Sequence, residues 1–247
     1  VNLGEIIGYA RIFLDDELQP YRNSDKELVM FANEAVDEAA RRAPILEDNS
    51  TPDVCRISLV PGTPTYNLHP SILRVYFVKL KSTQQTLMHR TEHLVKTATF
   101  TMSDLNDTPA AFFSPGGFVS TPLNNIAGTP WCYFIRADHT ITFSPIPNAD
   151  DSVDLSVQRM ALNQMKDVTD KPEIPYAYHD SLYMWILKRV YEKRDSEQMD
   201  LQSSQIWDAK FASIYGMKLP AKVEVNRLVN PIERGSYTKG LGNSYGG

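Results

Sequence analysis

Apolar positions recur every three or four residues in three stretches of the chain and alternate in most of the sequence between them. Leu3, Ile6, Ile7, Ala10 and Leu14 make one helical stripe, which Asp15-Asp16-Glu17 and Pro20 break. A second helix is predicted from Ser24 to Ala43. Ser24-Asp25-Lys26-Glu27 has capping-box spacing, with the serine hydroxyl placed to accept from the backbone three residues on and the glutamate to reach back. Leu28, Phe31, Ala32, Ala35, Val36 and Ala39 line one face of this helix, acids and arginines the other, and Pro44 stops it. The third stretch, Pro175 to Gly216, reads as two consecutive helices. Tyr178, Leu182, Trp185, Ile186 and Val190, widened by Tyr183, Leu187 and Tyr191, mark the first. Met199, Ile206, Trp207, Phe211, Ile214 and Tyr215 mark the second, with Gly216 as a left-handed C-cap.

Between these helices the period falls to two. Arg56–Leu59, Thr65–Leu68, Leu73–Leu80, Trp131–Ile135, Thr140–Phe143 and Val153–Val157 are the expected strands, with a hairpin at Ala137-Asp138-His139. Residues 104–130 carry four prolines and the Gly116-Gly117 pair, which prevent regular structure over much of that span, yet they also hold Phe112, Phe113 and Phe118. A loop of that length suits a partner contact.

The expected fold is α+β. N-terminal helices and a C-terminal αα-hairpin form a helical core (residues 1–50 and 172–216), an antiparallel β domain is inserted at 51–171, and 217–247 form an extended arm. The arm cannot hold itself in place. Fixing a backbone costs about 1–2 kcal/mol per residue, and Leu219, Val223, Val225, Leu228, Val229, Ile232 and Leu241 are too few to offset it at about 1.5–3 kcal/mol each when buried.

Charge sharpens this picture. The chain carries −5 overall, which argues against a general nucleic-acid coat. From Met217 onward, however, Lys218, Lys222, Arg227, Arg234 and Lys239 stand against Glu224 and Glu233, a net +3, leaving −8 on the body. A basic arm on an acidic body is suited to an acidic surface. At 42% hydrophobic and 22% charged the composition is that of a globular protein with no membrane span. Val1–Glu5 lack a secretory pattern. Cys55 and Cys132 lie in apolar runs and are expected to be buried free thiols.

Catalytic motifs do not survive inspection. His89-Arg90-Thr91-Glu92-His93 has the H-x-x-E-H spacing of a zinc-peptidase class, but that chemistry needs a helix, and the flanking sequence is extended or turn-like. Gly242–Gly246 fits G-x-S-x-G without the strand and helix of a nucleophile elbow. There is no phosphate loop or dinucleotide fingerprint. Neither a metal, a cofactor nor an enzymatic activity is expected.

The order of several short segments carries a family resemblance. Leu14-Asp15-Asp16 precedes Tyr21-Arg22-Asn23-Ser24-Asp25-Lys26-Glu27-Leu28, which enters Phe31-Ala32-Asn33-Glu34-Ala35; Arg41-Arg42-Ala43-Pro44 follows. Then come Leu68-His69-Pro70, Ile141-Thr142-Phe143-Ser144-Pro145-Ile146-Pro147, His179-Asp180-Ser181-Leu182, Leu187-Lys188-Arg189-Val190-Tyr191, Phe211 and Tyr215-Gly216. Over residues 3–216 this resembles the head-to-tail adaptor (connector) proteins of tailed bacteriophages, especially short-tailed, podovirus-like ones. Arg22-Asn23 departs from the tryptophan many relatives have before the helix cap.

The resemblance implies a virion protein, assembled in the host bacterial cytoplasm. It implies a ring, usually of twelve copies, that docks on the portal protein, presents a platform for the tail nozzle or tail-tube protein and continues the DNA channel. In that setting Arg227, Arg234, Tyr237, Lys239, Leu241 and Tyr245 are the expected portal contacts of the arm, and Phe112, Phe113 and Phe118 a contact for a tail component. A rival reading makes the β insertion a carbohydrate-binding module on a helical stalk, with Trp131, Tyr133 and Phe134 as a stacking surface.

Overall fold

The first helix, α1 (Leu3–Phe13), begins where Asn2 closes a capping box: Asn2 Oδ1 accepts from the Glu5 N–H at 2.9 Å and Glu5 Oε2 accepts from the Asn2 N–H at 2.9 Å. In this computed structural model, which describes residues 1–92, 127–193 and 199–230, α2 spans Asp25–Arg42. Ser24 caps it by accepting from the Glu27 N–H at 3.4 Å. The expected return bond from Glu27 is replaced, since its carboxylate pairs with Lys193 at 2.9 Å. Ala43 turns extended ahead of Pro44 and ends the helix.

Ten strands follow, some of only two residues: β1 (Glu47–Asp48), β2 (Arg56–Leu59) after the single-turn α3 (Pro52–Cys55), β3 (Thr65–Asn67), β4 (Ile72–Leu80), β5 (Thr86–His89), β6 (Ala127–Gly128), β7 (Cys132–Ile135), β8 (Thr140–Ser144), β9 (Ile146–Pro147) and β10 (Asp151–Arg159). A 3-10 turn (Tyr176–Ser181) leads into α4 (Tyr183–Tyr191), α5 (Leu201–Tyr215) and α6 (Ala221–Val229). The mixture of helices and an antiparallel-rich sheet is the α+β class the periodicity predicts. Alpha-helical structure in α6 is a difference: the arm is not extended throughout.

Contacts divide the chain into two units, one of Val1–Asp48, Ser71–Leu73 and Gln158–Glu224, the other of Asn49–Pro70, Arg74–Val157 and Val225–Gly247.

In the helical unit, α2 lays Ala32, Ala35 and Ala39, all fully buried, against α4, which buries Ile186, Leu187 and Val190. The small side chains let the two backbones approach closely. From α5, Phe211 and Tyr215 fill the remaining space, with Phe211 5.2 Å from the Trp185 ring and 4.4 Å from Tyr215. Tyr215 Oη bonds Ser181 Oγ at 2.7 Å and the Tyr178 carbonyl at 2.8 Å, and burial pushes its phenol up to about 12. His179, 4% exposed, faces the Val1 and Ile174 carbonyls with its two ring nitrogens.

The sheet runs β1-β10-β4-β5-β7-β8-β3, with β2 also on β10; β6 and β9 form a separate parallel pair. The pairs β2–β10, β3–β8, β4–β5 and β7–β8 are antiparallel and β5–β7 is parallel. The hairpin β7–β8 sets Tyr133 opposite Phe143 and Ile135 opposite Ile141. Its turn is fastened by Asp138, which accepts from Thr140 Oγ1 at 2.6 Å, and His139 adopts φ 61°. All four residues of β7 are buried, so both faces of this strand are covered.

Candidate interaction surfaces

Exposed large apolar side chains are unevenly shared. Among the described residues of the β unit only Val60, Phe77 and Val225 qualify, whereas the helical unit shows Tyr9, Ile12, Phe13, Leu18, Met30, Leu201, Ile206, Ile214 and others. The sequence pattern counted Ile206 and Ile214 as core. In the structure Phe211 and Tyr215 take the core, and the other apolar positions of α5 face outward.

These side chains meet in an aromatic platform across three helices. Phe13 of α1 stacks on Tyr183 of α4 at 5.1 Å with rings 2° from parallel, and Trp207 of α5 meets Phe13 edge-on at 5.4 Å. Tyr9 extends the group through Tyr183, and the Lys210 ammonium lies over the Trp207 ring at 3.7 Å. Phe13 stays 50% and Ile12 54% exposed, so the platform is open to solvent.

A second feature is the turn after α1. Arg11 Nη1 donates to Asp16 Oδ2 at 2.9 Å, Arg11 Nη2 to Asp25 Oδ1 at 2.7 Å and to the Asn23 carbonyl at 3.1 Å, and the guanidinium lies 3.7 Å over the Tyr21 ring. Asp16, 2% exposed, also accepts from the Arg22 and Asn23 N–H groups at 2.7 and 3.0 Å. Burial alone would push its carboxyl up, but those hydrogen bonds and the Arg11 charge outweigh it and hold Asp16 below the usual carboxylate range. Asp15, Glu17 and Leu18 project from this anchored turn, and Leu18 is 85% exposed. Sequence reading took Asp15-Asp16-Glu17 as a helix breaker only; the clue to more was an arginine one turn before an acidic pair.

Of the arm, α6 is a nine-residue helix in which only Leu228 is buried. Arg227 lies on its exposed side. Arg234, Tyr237, Lys239, Leu241 and Tyr245, like Phe112, Phe113 and Phe118, fall outside the described residues.

Trp131, Tyr133 and Phe134 are 5, 2 and 2% exposed, which corrects the carbohydrate-stacking expectation: with both faces of β7 covered, none of the three rings can meet a sugar. A cavity of about 410 Å³ lies between Arg90, Thr91, Glu92, Ile135, Arg136, Ala137, Asp138, Val229 and Asn230. Its charges are largely engaged: Arg136 Nη2 donates to Glu92 at 2.9 Å and Asp138 holds Thr140. His89 ends strand β5 instead of opening a helix, and His93 lies outside the described residues. Among the described residues no group of three His, Cys, Asp or Glu side chains could hold a metal ion, and no helix is long and apolar enough to cross a membrane.

An open aromatic platform, an exposed Leu18 on a tied turn and a helical arm with one buried side chain are the exposed apolar features of the described residues. Residues 1–234 match the family model described as SU10 adaptor protein, and the chain belongs to that family. It is thus a structural adaptor protein of a bacteriophage, a head-tail adaptor located in the virion, with portal or tail proteins and further copies as partners in general terms. No curated protein matches the chain.

Proposed function

We propose that the chain forms the ring, of twelve copies, that joins the portal to the tail nozzle and continues the DNA channel in a short-tailed phage. The observation that carries this reading is the concentration, among the described residues, of exposed apolar side chains on the helical unit of a family adaptor. Ring contacts fall to the helical core expected at residues 1–50 and 172–216. The β insertion, 51–171, faces the tail components, with Phe112, Phe113 and Phe118 as its contact. The arm binds the portal through Arg227, Arg234, Tyr237, Lys239, Leu241 and Tyr245, its +3 charge drawn to an acidic surface. A body of −8 suits a channel wall, because DNA phosphates are repelled and slide past. Catalysis has no part in this role.

Electron microscopy of the chain mixed with its portal tests the proposal. A ring of twelve copies coaxial with the portal is the expected result; a chain that stays monomeric beside the portal overturns it. For the arm, deletion of residues 231–247 combined with Arg227→Ala is expected to leave the melting temperature unchanged and abolish joining to the portal. Normal joining by that variant removes the arm from the account.

A further inference from the structure

Two features of the helical unit keep side chains exposed among the described residues and complement each other. On the exposed side of α5, Ile206 and Ile214, 48 and 41% exposed, stand one turn before and one turn after Lys210, with Gln202, Gln205 and Ser213 exposed beside them. Its only charged residues are Asp208, which pairs with buried Arg42 at 3.2 Å, and Lys210. A solvated helix face is ordinarily rich in charge, as α2 illustrates with Asp25, Lys26, Glu34 and Arg41 outside its core stripe. The α5 face instead offers Ile206 and Ile214 on either side of one cation, Lys210.

The turn after α1 offers the reverse. Leu18 stands in solvent beside Glu17, with Asp15 near by, and the turn is held by the Asp16 anchor to Arg11, Arg22 and Asn23. Asp16 closes the turn at its base through Arg22 and Asn23, so Leu18 projects as a knob from a tied loop with Glu17 before it and Asp15 three residues back.

We propose that Leu18 of one copy seats on the α5 face of the next, between Ile206 and Ile214, with Asp15 and Glu17 beside Lys210. This contact rests on the adaptor reading and specifies how its copies meet. Leu18 meets Ile206 and Ile214, and two acids meet the one cation. Knob against knob would crowd four acids, and face against face two lysines, so pairing of like surfaces is disfavoured. Knob and socket are different residues, so a contact made once between two copies is head-to-tail and propagates to a ring when its rotation closes, which a ladder of multimers distinguishes from a reciprocal pair.

Cross-linking tests the contact directly. Full-length copies carrying Leu18→Cys are mixed with copies carrying Ile206→Cys, in the presence of the portal, and oxidised; Cys55 and Cys132 are buried and stay out of the reaction. Disulfide dimers are expected from the mixture and from neither variant alone, and a ladder of multimers from the double variant. Charge exchange supplies a second readout. Glu17→Lys with Asp15→Asn, which keeps a residue tolerant of the φ of 49° at that position, is expected to weaken assembly at least tenfold, as is Lys210→Glu. Combining all three is expected to restore most of it. An oligomer whose mixed copies do not cross-link, or Leu18→Cys copies that link to one another, overturns the contact and leaves the adaptor reading standing. A chain that never assembles, with or without the portal, overturns both.

Discussion

Arg42 Nε donates to Glu38 Oε1 at 2.9 Å, one turn back on the same helix, with both side chains buried at 3 and 7% exposure. The same guanidinium reaches Asp208 at 3.2 Å and the Gly216 carbonyl at 3.4 Å, and lies 5.2 Å from the Trp185 and Phe211 rings. One side chain of α2 thereby fixes both the middle and the end of α5. Arg42→Met leaves a buried carboxylate without its cation, a change that costs about 3–5 kcal/mol. Thermal melting is expected to shift down by about 10 °C or more. Arg42→Met with Glu38→Leu removes both charges and is expected to recover much of that loss.

Acid should weaken the helical unit through two anchored carboxylates. Asp16 sits below its ordinary range, and so does Glu173: burial pushes it up, but Arg159 at 2.8 Å, the Leu162 N–H and the Asn163 amide prevail. A carboxylate depressed by folding adds stability above its unfolded pKa, about 4, and loses it as pH falls through the folded value below that. Asp37 acts oppositely, since burial raises its carboxyl. Urea unfolding between pH 6 and pH 2 is expected to show stability falling from about pH 4–5 downward. Asp16→Asn and Glu173→Gln are expected to lower stability at pH 7 and flatten that fall.

The helices were legible because their stripes run unbroken at a period of three to four, and the Gly216 cap because a glycine follows Tyr215 directly. Strand β5 was not legible. Only Leu87 and Met88 are apolar in it, and half its partners come from β7, more than forty residues later. The stacking surface of the rival reading, Trp131, Tyr133 and Phe134, failed for a related reason, since alternation along one strand does not reveal that both of its faces are buried. The platform joins residues from three separate helices, Phe13, Tyr183 and Trp207, a juxtaposition that periodicity within each helix cannot express. Arg42 looked like the charged side of α2, because its burial depends on α5 arriving beside it.

Both thiols should be silent until the chain unfolds. Cys55 and Cys132 are free and buried, and burial pushes the Cys132 thiol up to about 12 despite the Arg90 charge near it and its bond to the Ser144 carbonyl. Thiolate is the reactive form, so a disulfide-exchange reagent at pH 8 is expected to find no thiol in native protein and two in denaturant. Rapid native labelling of either would mean that the β unit opens where it is described as closed.

Two glycines of the helical unit should respond in opposite directions to the same substitution. Gly216 ends α5 at φ 90°, ψ 172°, a region almost confined to glycine. A Cβ there would sit 3.9 Å from the Arg42 carbonyl, an ordinary contact, so the cost of Gly216→Ala is backbone strain and not collision. That strain is worth about 1–3 kcal/mol. Gly8 lies inside α1, and a Cβ there meets nothing within 4 Å. Alanine at that position should stabilise by about 0.5–1 kcal/mol, because the unfolded chain loses freedom and the helix loses none. Denaturant midpoints of the two variants, measured beside the parent, are expected to fall on either side of it. If Gly216→Ala were neutral, α5 would have to end in some other conformation, and the Arg42 bond to the Gly216 carbonyl would have no fixed acceptor.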